Sequence, residues 1–256
     1  MSIIDSWMTP NLLKLNADKT EMLVVSKNPK QSCNLSKFCI NFNGETITPS
    51  KQVRNLGVIF DSKLSMEAHV NKVCQASYLQ LFTISKVRKC LNKSTCEALI
   101  HAFISSRLDS MNAVLYGLPD FLIDKLQKVQ NNAARVLCGL RKYDHITPVL
   151  HALHWLPIRK RIDYKIAVLC FKCINNSAPT YLCDLISLYV PRRKLRSSED
   201  KFVLNVPKVR TGFGKRAFSY NGPKTWNNLP YDIRSCLSLD SFKQRLKTHL
   251  FKSVYL

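Results

Sequence analysis

At 256 residues and 29.4 kDa the chain is long enough to bury a sizeable core and short enough for one or two domains. Apolar residues make up 46% of it, which argues against a disordered tail, and 7 glycines leave little material for an all-β sandwich or for glycine-rich phosphate loops. The 39 lysines and arginines against 17 acids give a net charge of +22, and a surface of that sign finds its natural partner in a polyanion.

Residues 1–62 read as α/β. A short helix contains Trp7 and stops near Pro10-Asn11, Met22-Leu23-Val24-Val25 is strand-like, and so is Phe38-Cys39-Ile40-Asn41-Phe42. Asn43-Gly44 then signals a two-residue hairpin returning through Glu45-Thr46-Ile47, and a last strand covers Leu56-Gly57-Val58-Ile59-Phe60. With so few strands and open edges, this part reads as a piece of a larger sheet.

From about Ser65 the apolar period becomes helical. Val70, Val73, Cys74, Leu81, Ile84, Val87 and Leu91 form one stripe, and Ser94-Thr95-Cys96-Glu97 reads as a capping box opening a second helix through Leu99, Phe103, Ile104 and Leu108. A third helix follows Pro119-Asp120, carries Leu122, Leu126, Val129, Ala133 and Leu137, and stops at Gly139. Thr147-Pro148 opens a short fourth, residues 158–174 form a fifth, and Pro179 introduces another short one.

Past Val190 the chain turns basic. Residues 192–216 carry nine basic and two acidic side chains, a net +7. Phe202-Val203-Leu204 is strand-like, the chain is expected to be irregular around Gly222-Pro223 and Asn228-Leu229-Pro230, and Asp240-Ser241 is placed to cap a closing helix with Phe242, Leu246 and Leu250 on its apolar side.

The cysteines are scattered singly, the first residues do not read as a secretory leader, and no apolar run approaches the roughly 20 residues that span a bilayer. Reduced thiols in an intracellular chain, in nucleus or cytoplasm and away from membranes, are therefore expected. His151-x-x-His154 followed by Cys170-x-x-Cys173 has the spacing of a tetrahedral zinc set. The cysteines lie in an apolar helical run that already explains them, so no metal site is assigned.

Several blocks, in order along nearly the whole chain, carry a family resemblance. Trp7-Met8-Thr9-Pro10-Asn11-Leu12-Leu13-Lys14-Leu15-Asn16 with Asp18-Lys19-Thr20-Glu21 comes first, then Asn55-Leu56-Gly57-Val58-Ile59-Phe60-Asp61 with His69. Leu126-Gln127-Lys128-Val129-Gln130-Asn131-Asn132-Ala133-Ala134-Arg135, His154-Trp155-Leu156-Pro157 with Arg161-Ile162, and Gly222-Pro223-Lys224-Thr225-Trp226-Asn227-Asn228-Leu229-Pro230 follow. Together they resemble the post-catalytic part of reverse transcriptases from non-LTR, jockey-like (LINE) retrotransposons. The resemblance implies an RNA-directed DNA polymerase whose palm aspartates hold two Mg²⁺ ions. This chain has no Asp-Asp pair, and its first block matches a point beyond the family's catalytic turn. No catalytic residue and no cofactor are assigned to it, and it is expected not to polymerise alone.

The resemblance also implies nucleic-acid contacts: Lys19 and Thr20 in the palm remnant, and Lys86, Arg88, Lys89, Lys125, Lys128 and Arg135 on a thumb that grips a duplex by its backbone. Independently of it, Arg192, Arg193, Lys194, Arg196, Lys208, Arg210, Lys215 and Arg216, interleaved with Phe202, Phe213, Phe218 and Tyr220, suit phosphates and unpaired bases.

The expected architecture is a mostly α-helical α+β chain. A palm remnant spans 1–62, a thumb-like helical domain 63–187, and a basic C-terminal region 188–256. The expected partners are RNA and DNA without sequence preference, with a protein partner for the amphipathic helices, or a decayed remnant without function, as the alternatives.

Overall fold

The structure, a computed structural model, describes residues 2–14, 16, 19–25, 39–42, 45–190 and 202–256. It is the mostly helical α+β chain expected, with two small antiparallel two-stranded sheets among the described residues. The chain divides into two compact units, residues 1–69 and 70–256.

In the first unit, helix α1 (Ser2–Met8) tightens into a 3-10 turn, Thr9–Asn11, at Pro10. Strands β1 (Ile40–Phe42) and β2 (Glu45–Ile47) pair with Ile40 opposite Ile47; the Asn43-Gly44 signal between them lies outside the described residues. Met22 makes only an isolated bridge to Pro49, so residues 22–25 are not a strand. Strands β3 (Gln52–Asn55) and β4 (Val58–Asp61) form a second hairpin. The strand expected over 56–60 begins two residues late because Leu56 and Gly57, at φ +46° and +87°, are the turn itself. Two consecutive positive φ angles give a turn whose twist matches that of the strands, the geometry usually met by Asn-Gly.

Asp61 ends β4 and starts the next element. Its carboxylate accepts hydrogen bonds from the backbone N–H groups of Lys63 (3.0 Å), Ser65 (2.9 Å) and Met66 (2.8 Å) and from the Ser65 hydroxyl (3.0 Å). Burial works against its ionisation, but these donors outweigh that and hold its pKa below the usual aspartate value.

Helix α2 (Glu67–Val87) buries Val70, Cys74, Leu81 and Ile84, as its stripe requires, and leaves Val87 exposed. Helix α3 (Lys93–Ile100) is capped by Asn92, whose side-chain oxygen takes the Thr95 N–H at 2.7 Å, so the expected Ser94 box is displaced by a residue two positions earlier. A π-helical turn, His101–Ser105, then joins α3 to α4 (Ser106–Asp109). Its wider turn brings Cys96, Ile100, Ile104 and Leu108 inward and turns Phe103 outward, correcting the expected stripe, which assumed an uninterrupted α-helix.

Helix α5 (Asp120–Cys138) buries Leu122, Leu126, Val129, Ala133 and Leu137 and ends at Gly139, left-handed at φ +66°. After the short α6 (Thr147–Ala152) comes α7 (Ile158–Ile174), buried around most of its circumference, as befits a central helix. The short α8 (Thr180–Cys183) follows.

The stretch around Gly222-Pro223, expected to be irregular, lies inside helix α9 (Phe218–Asn227). Tertiary packing explains the reversal. A Cβ at Gly222 would stand 3.0 Å from Cys170 Sγ on α7 and 3.1 Å from the Phe218 ring, so the glycine serves close helix contact rather than a turn. After α10 (Tyr231–Arg234), helix α11 (Leu239–Tyr255) starts at Ser238, whose hydroxyl accepts the Ser241 N–H; Asp240, the expected cap, sits in the first turn.

Phe171, Trp226 and Phe242 meet where α7, α9 and α11 converge, with centroids 4.5 Å apart for Phe171–Phe242 and 5.6 Å for Trp226–Phe242. Trp226 and Phe242 are fully buried, and each such burial stabilises by about 1.5–3 kcal/mol. The C-terminal helices thus share the compact unit of the preceding helices. Phe202-Val203-Leu204 is not a strand: Leu204 makes one isolated bridge to Leu188. Instead Asn227 grips Leu204 at both backbone atoms, accepting its N–H and donating to its carbonyl, each at 2.8 Å, while Trp226 Nε1 donates to the Phe202 carbonyl.

Candidate nucleic-acid interface

In the second unit, Phe121, Lys125, Lys128, Asn132 and Arg135 recur at spacings of four and three along α5, which puts them on one face. That face meets α2 through two hydrogen bonds, Lys125 Nζ to Asn71 Oδ1 at 2.9 Å and Asn132 Nδ2 to the Tyr78 hydroxyl at 3.4 Å. On α2 the residues in line are Asn71, Tyr78, Phe82 and Lys86. The joint surface therefore carries Lys86, Lys125 and Lys128 beside exposed rings.

Cations sit over two of those rings. Lys86 Nζ lies 4.4 Å from the Phe82 centroid and Lys125 Nζ 5.9 Å from that of Phe121. Elsewhere in the unit Lys142 covers Tyr143, Arg216 covers Phe213 and Lys224 covers Tyr220, at 5.7–6.0 Å. Lys86, Lys89 and Lys128 are exposed and pair with no carboxylate among the described residues.

Two arginines of the expected set make hydrogen bonds within the fold. Arg88 donates from Nε to the Val136 carbonyl (3.1 Å), from Nη1 to Leu91 (2.9 Å) and from Nη2 to Leu137 (2.9 Å), closing the C-terminus of α5. Arg135 is half-buried and reaches Asn132 and the Asp144 carbonyl, bracing the loop after α5. Arg88 thus commits three donors to backbone carbonyls, whereas the two contacts of Arg135 are long, at 3.4 Å each.

Of the C-terminal set, Lys208, Arg210 and Lys215 are exposed and Arg216 is half-buried; its stem packs on Gly117, where a Cβ would lie 2.9 Å from Arg216 Cγ. Arg192, Arg193, Lys194 and Arg196 lie outside the described residues. In the first unit Lys19 is exposed, whereas the Thr20 hydroxyl is taken by the Asn16 carbonyl at 2.7 Å.

The block Gln127 to Asn131 has a packing role that periodicity alone did not reveal. Gln127 Oε1 accepts the Ile158 N–H at 2.9 Å, capping α7, and Gln130 Nε2 donates to the Leu156 carbonyl at 2.9 Å. Polar residues on an otherwise apolar helix face were the available signal.

The possible zinc set has a different role. His151 and His154 each meet the Phe251 ring at a tilt, while burial pushes the thiol pKa of Cys170 up, and that of Cys173 to about 11, favouring neutral thiols. Among the described residues no three His, Cys, Asp or Glu side chains stand close enough to hold a metal ion, so these residues do not fit the Mg²⁺ pair that the family resemblance implies. Among them, too, no helix is long and apolar enough to cross a membrane.

Comparison of the chain with family models, with curated protein sequences and with solved structures gave no match.

Proposed function

We propose that the chain is a piece of a non-LTR retrotransposon reverse transcriptase that binds RNA or DNA by its backbone, without sequence preference and without polymerising. The observation that carries the binding is the α2–α5 surface, where the ammonium groups of Lys86, Lys125 and Lys128 alternate with the exposed rings of Phe82 and Phe121. Cations of this kind neutralise phosphates while rings accept unpaired bases. The absence of any Asp-Asp pair supports the second half, because two-metal nucleotide addition needs bridging carboxylates.

A fluorescence-anisotropy salt series with single-stranded RNA and duplex DNA tests this. Binding should weaken steeply with salt, and Lys86→Ala/Lys89→Ala/Lys128→Ala should reduce the log–log slope by roughly two to three, near one unit per lost phosphate contact. Binding indifferent to salt, or a triple variant with an unchanged slope, refutes the proposal.

A protein-docking face is the second reading, favoured by Leu79 and Phe82, which are 63% and 58% exposed on α2. No nucleic-acid binding at micromolar protein and low salt would favour it.

A further inference from the structure

A cleft of about 420 Å³ opens in the second unit where α7, α9 and α11 come together with the turn before α5. Leu118, Ile123 and Leu229 give it apolar walls, and Lys160, Asp163 and His249 stand among its polar groups. Its size falls within the roughly 300–1,000 Å³ of ligand pockets, which likewise combine apolar walls with a few placed polar groups. None of the described cations assigned above to nucleic acid lines it.

Asp163 is the group in this cleft that the fold leaves without a partner. It is half-buried on α7, yet among the described residues no donor makes a hydrogen bond to its carboxylate and no cation forms an ion pair with it. Burial pushes its pKa above the usual aspartate value, against the pull of Lys160 and Arg159. Neither of its oxygens is among the sealed buried atoms that lack a partner, so both are open to a group entering the cleft. A half-buried carboxylate with no donor costs free energy in the folded chain, and one kept beside a cavity points to a ligand that supplies the donor.

The charges near it are ordered along the helix. Lys160 precedes Asp163 by three positions and Arg159 by four, so all three share one face of α7, with Lys160 and Asp163 separated by about 4.5 Å of helix rise. Arg159 is taken by Asp120, whereas Lys160 pairs with no carboxylate among the described residues. A simple cation or a simple anion meets a like charge in this cleft. A ligand with a hydrogen-bond donor next to an anionic group meets a complementary partner at each end, and a ribose hydroxyl beside its phosphate has that form.

We infer that this cleft binds one ribose of an RNA strand and so makes the chain prefer RNA to DNA. The 2′-hydroxyl donates to the Asp163 carboxylate, the adjoining 3′-phosphate meets Lys160, and the carbon face of the sugar rests on the apolar wall. The 2′-hydroxyl is the group by which a protein tells the two nucleic acids apart, and a deoxyribose leaves the carboxylate without its donor. The choice of a nucleotide rests on the nucleic-acid reading above; the partnerless carboxylate does not.

The test compares single-stranded RNA with DNA and 2′-O-methyl RNA of the same sequence by anisotropy on the full chain. It also titrates uridine 3′-phosphate and its 2′-deoxy form by NMR, with the His249 ring as local reporter. RNA should bind about tenfold more tightly than DNA or methylated RNA, the worth of one hydrogen bond to a charged group. Asp163→Leu should bring the three affinities together; the charge it removes acts alike on all three, so their ratio reports the hydroxyl contact. That variant should melt no lower than the parent, since it removes a carboxylate without partners. Asp163→Asn, which keeps the shape, should lose part of the preference. Lys160→Ala should lower the salt slope for RNA by about 0.7, one phosphate contact on a single strand. Equal binding of RNA, DNA and methylated RNA, or a preference that survives Asp163→Leu, overturns the inference and leaves the backbone-binding reading standing. If uridine 3′-phosphate saturates the site and outbinds its deoxy form on a chain that binds no oligonucleotide, only the backbone-binding reading is refuted. Binding of neither refutes both.

Discussion

Arg88 Nη2 donates to the carbonyl of Leu137 at 2.9 Å, across 49 positions of sequence, and so ties the end of α2 to the end of α5. With its bonds to Val136 and Leu91 it satisfies carbonyls that a helix terminus and a loop leave open. Arg88→Ala should therefore cost about 2–3 kcal/mol in a denaturant titration, from charge-assisted bonds that are partly buried. Arg88→Lys should recover little, because an ammonium cannot match the fork. The salt slope for nucleic acid should stay as in the parent; a fall of one unit would return Arg88 to the phosphate-binding set.

Gly222→Ala should destabilise by roughly 1–3 kcal/mol, the cost of forcing a methyl group into packed side chains. The close neighbour is Cys170 Sγ at 3.0 Å, so Cys170→Ala should recover part of the loss. A double-mutant cycle checks the coupling. Additive effects would show that the glycine serves the helix in some other way.

Asn227→Ala removes both bonds to Leu204 and leaves that backbone pair without partners. A loss of about 1–3 kcal/mol is expected. Amide exchange at Leu204 should accelerate more than exchange within α11. Uniform acceleration would mean that the asparagine supports the whole unit.

Asp61 gives the first unit an acid-sensitive joint. Its pKa is lowered in the fold, so its contribution to stability is complete above the ordinary value of 3.8 and fades as pH falls through the folded value. His69 acts at higher pH. Burial lowers its pKa from 6.5, so protonation favours the unfolded chain and stability declines as pH drops below that value. Asp61→Asn should lower stability at neutral pH and flatten the acid limb below pH 4, followed by thermal melts across pH. An unaltered acid limb would remove Asp61 from this role.

Much of the fold is legible in the sequence wherever one helix face does the burying. Leu122, Leu126, Val129, Ala133 and Leu137 keep a helical period that only burial of one stripe explains, and Gly139 supplies the left-handed stop. Phe242, Leu246 and Leu250 do the same for the last helix. A hydrophobic stripe is a local property, readable from spacing alone. The large excess of cations is equally plain, and with it the expectation of a polyanionic partner.

Tertiary structure decided the features that depend on what a residue meets. Gly222-Pro223 has the composition of a turn, and close approach to α7 makes it helix. Leu56-Gly57 looks like strand by its apolar residue, and the pairing of β3 with β4 makes it the turn. Among the expected phosphate ligands, distant carbonyls claim Arg88 while Lys86 and Lys128 stay at the surface. A cationic side chain binds a phosphate only if no buried acceptor has already taken its donors, and those acceptors come from residues far away in the chain.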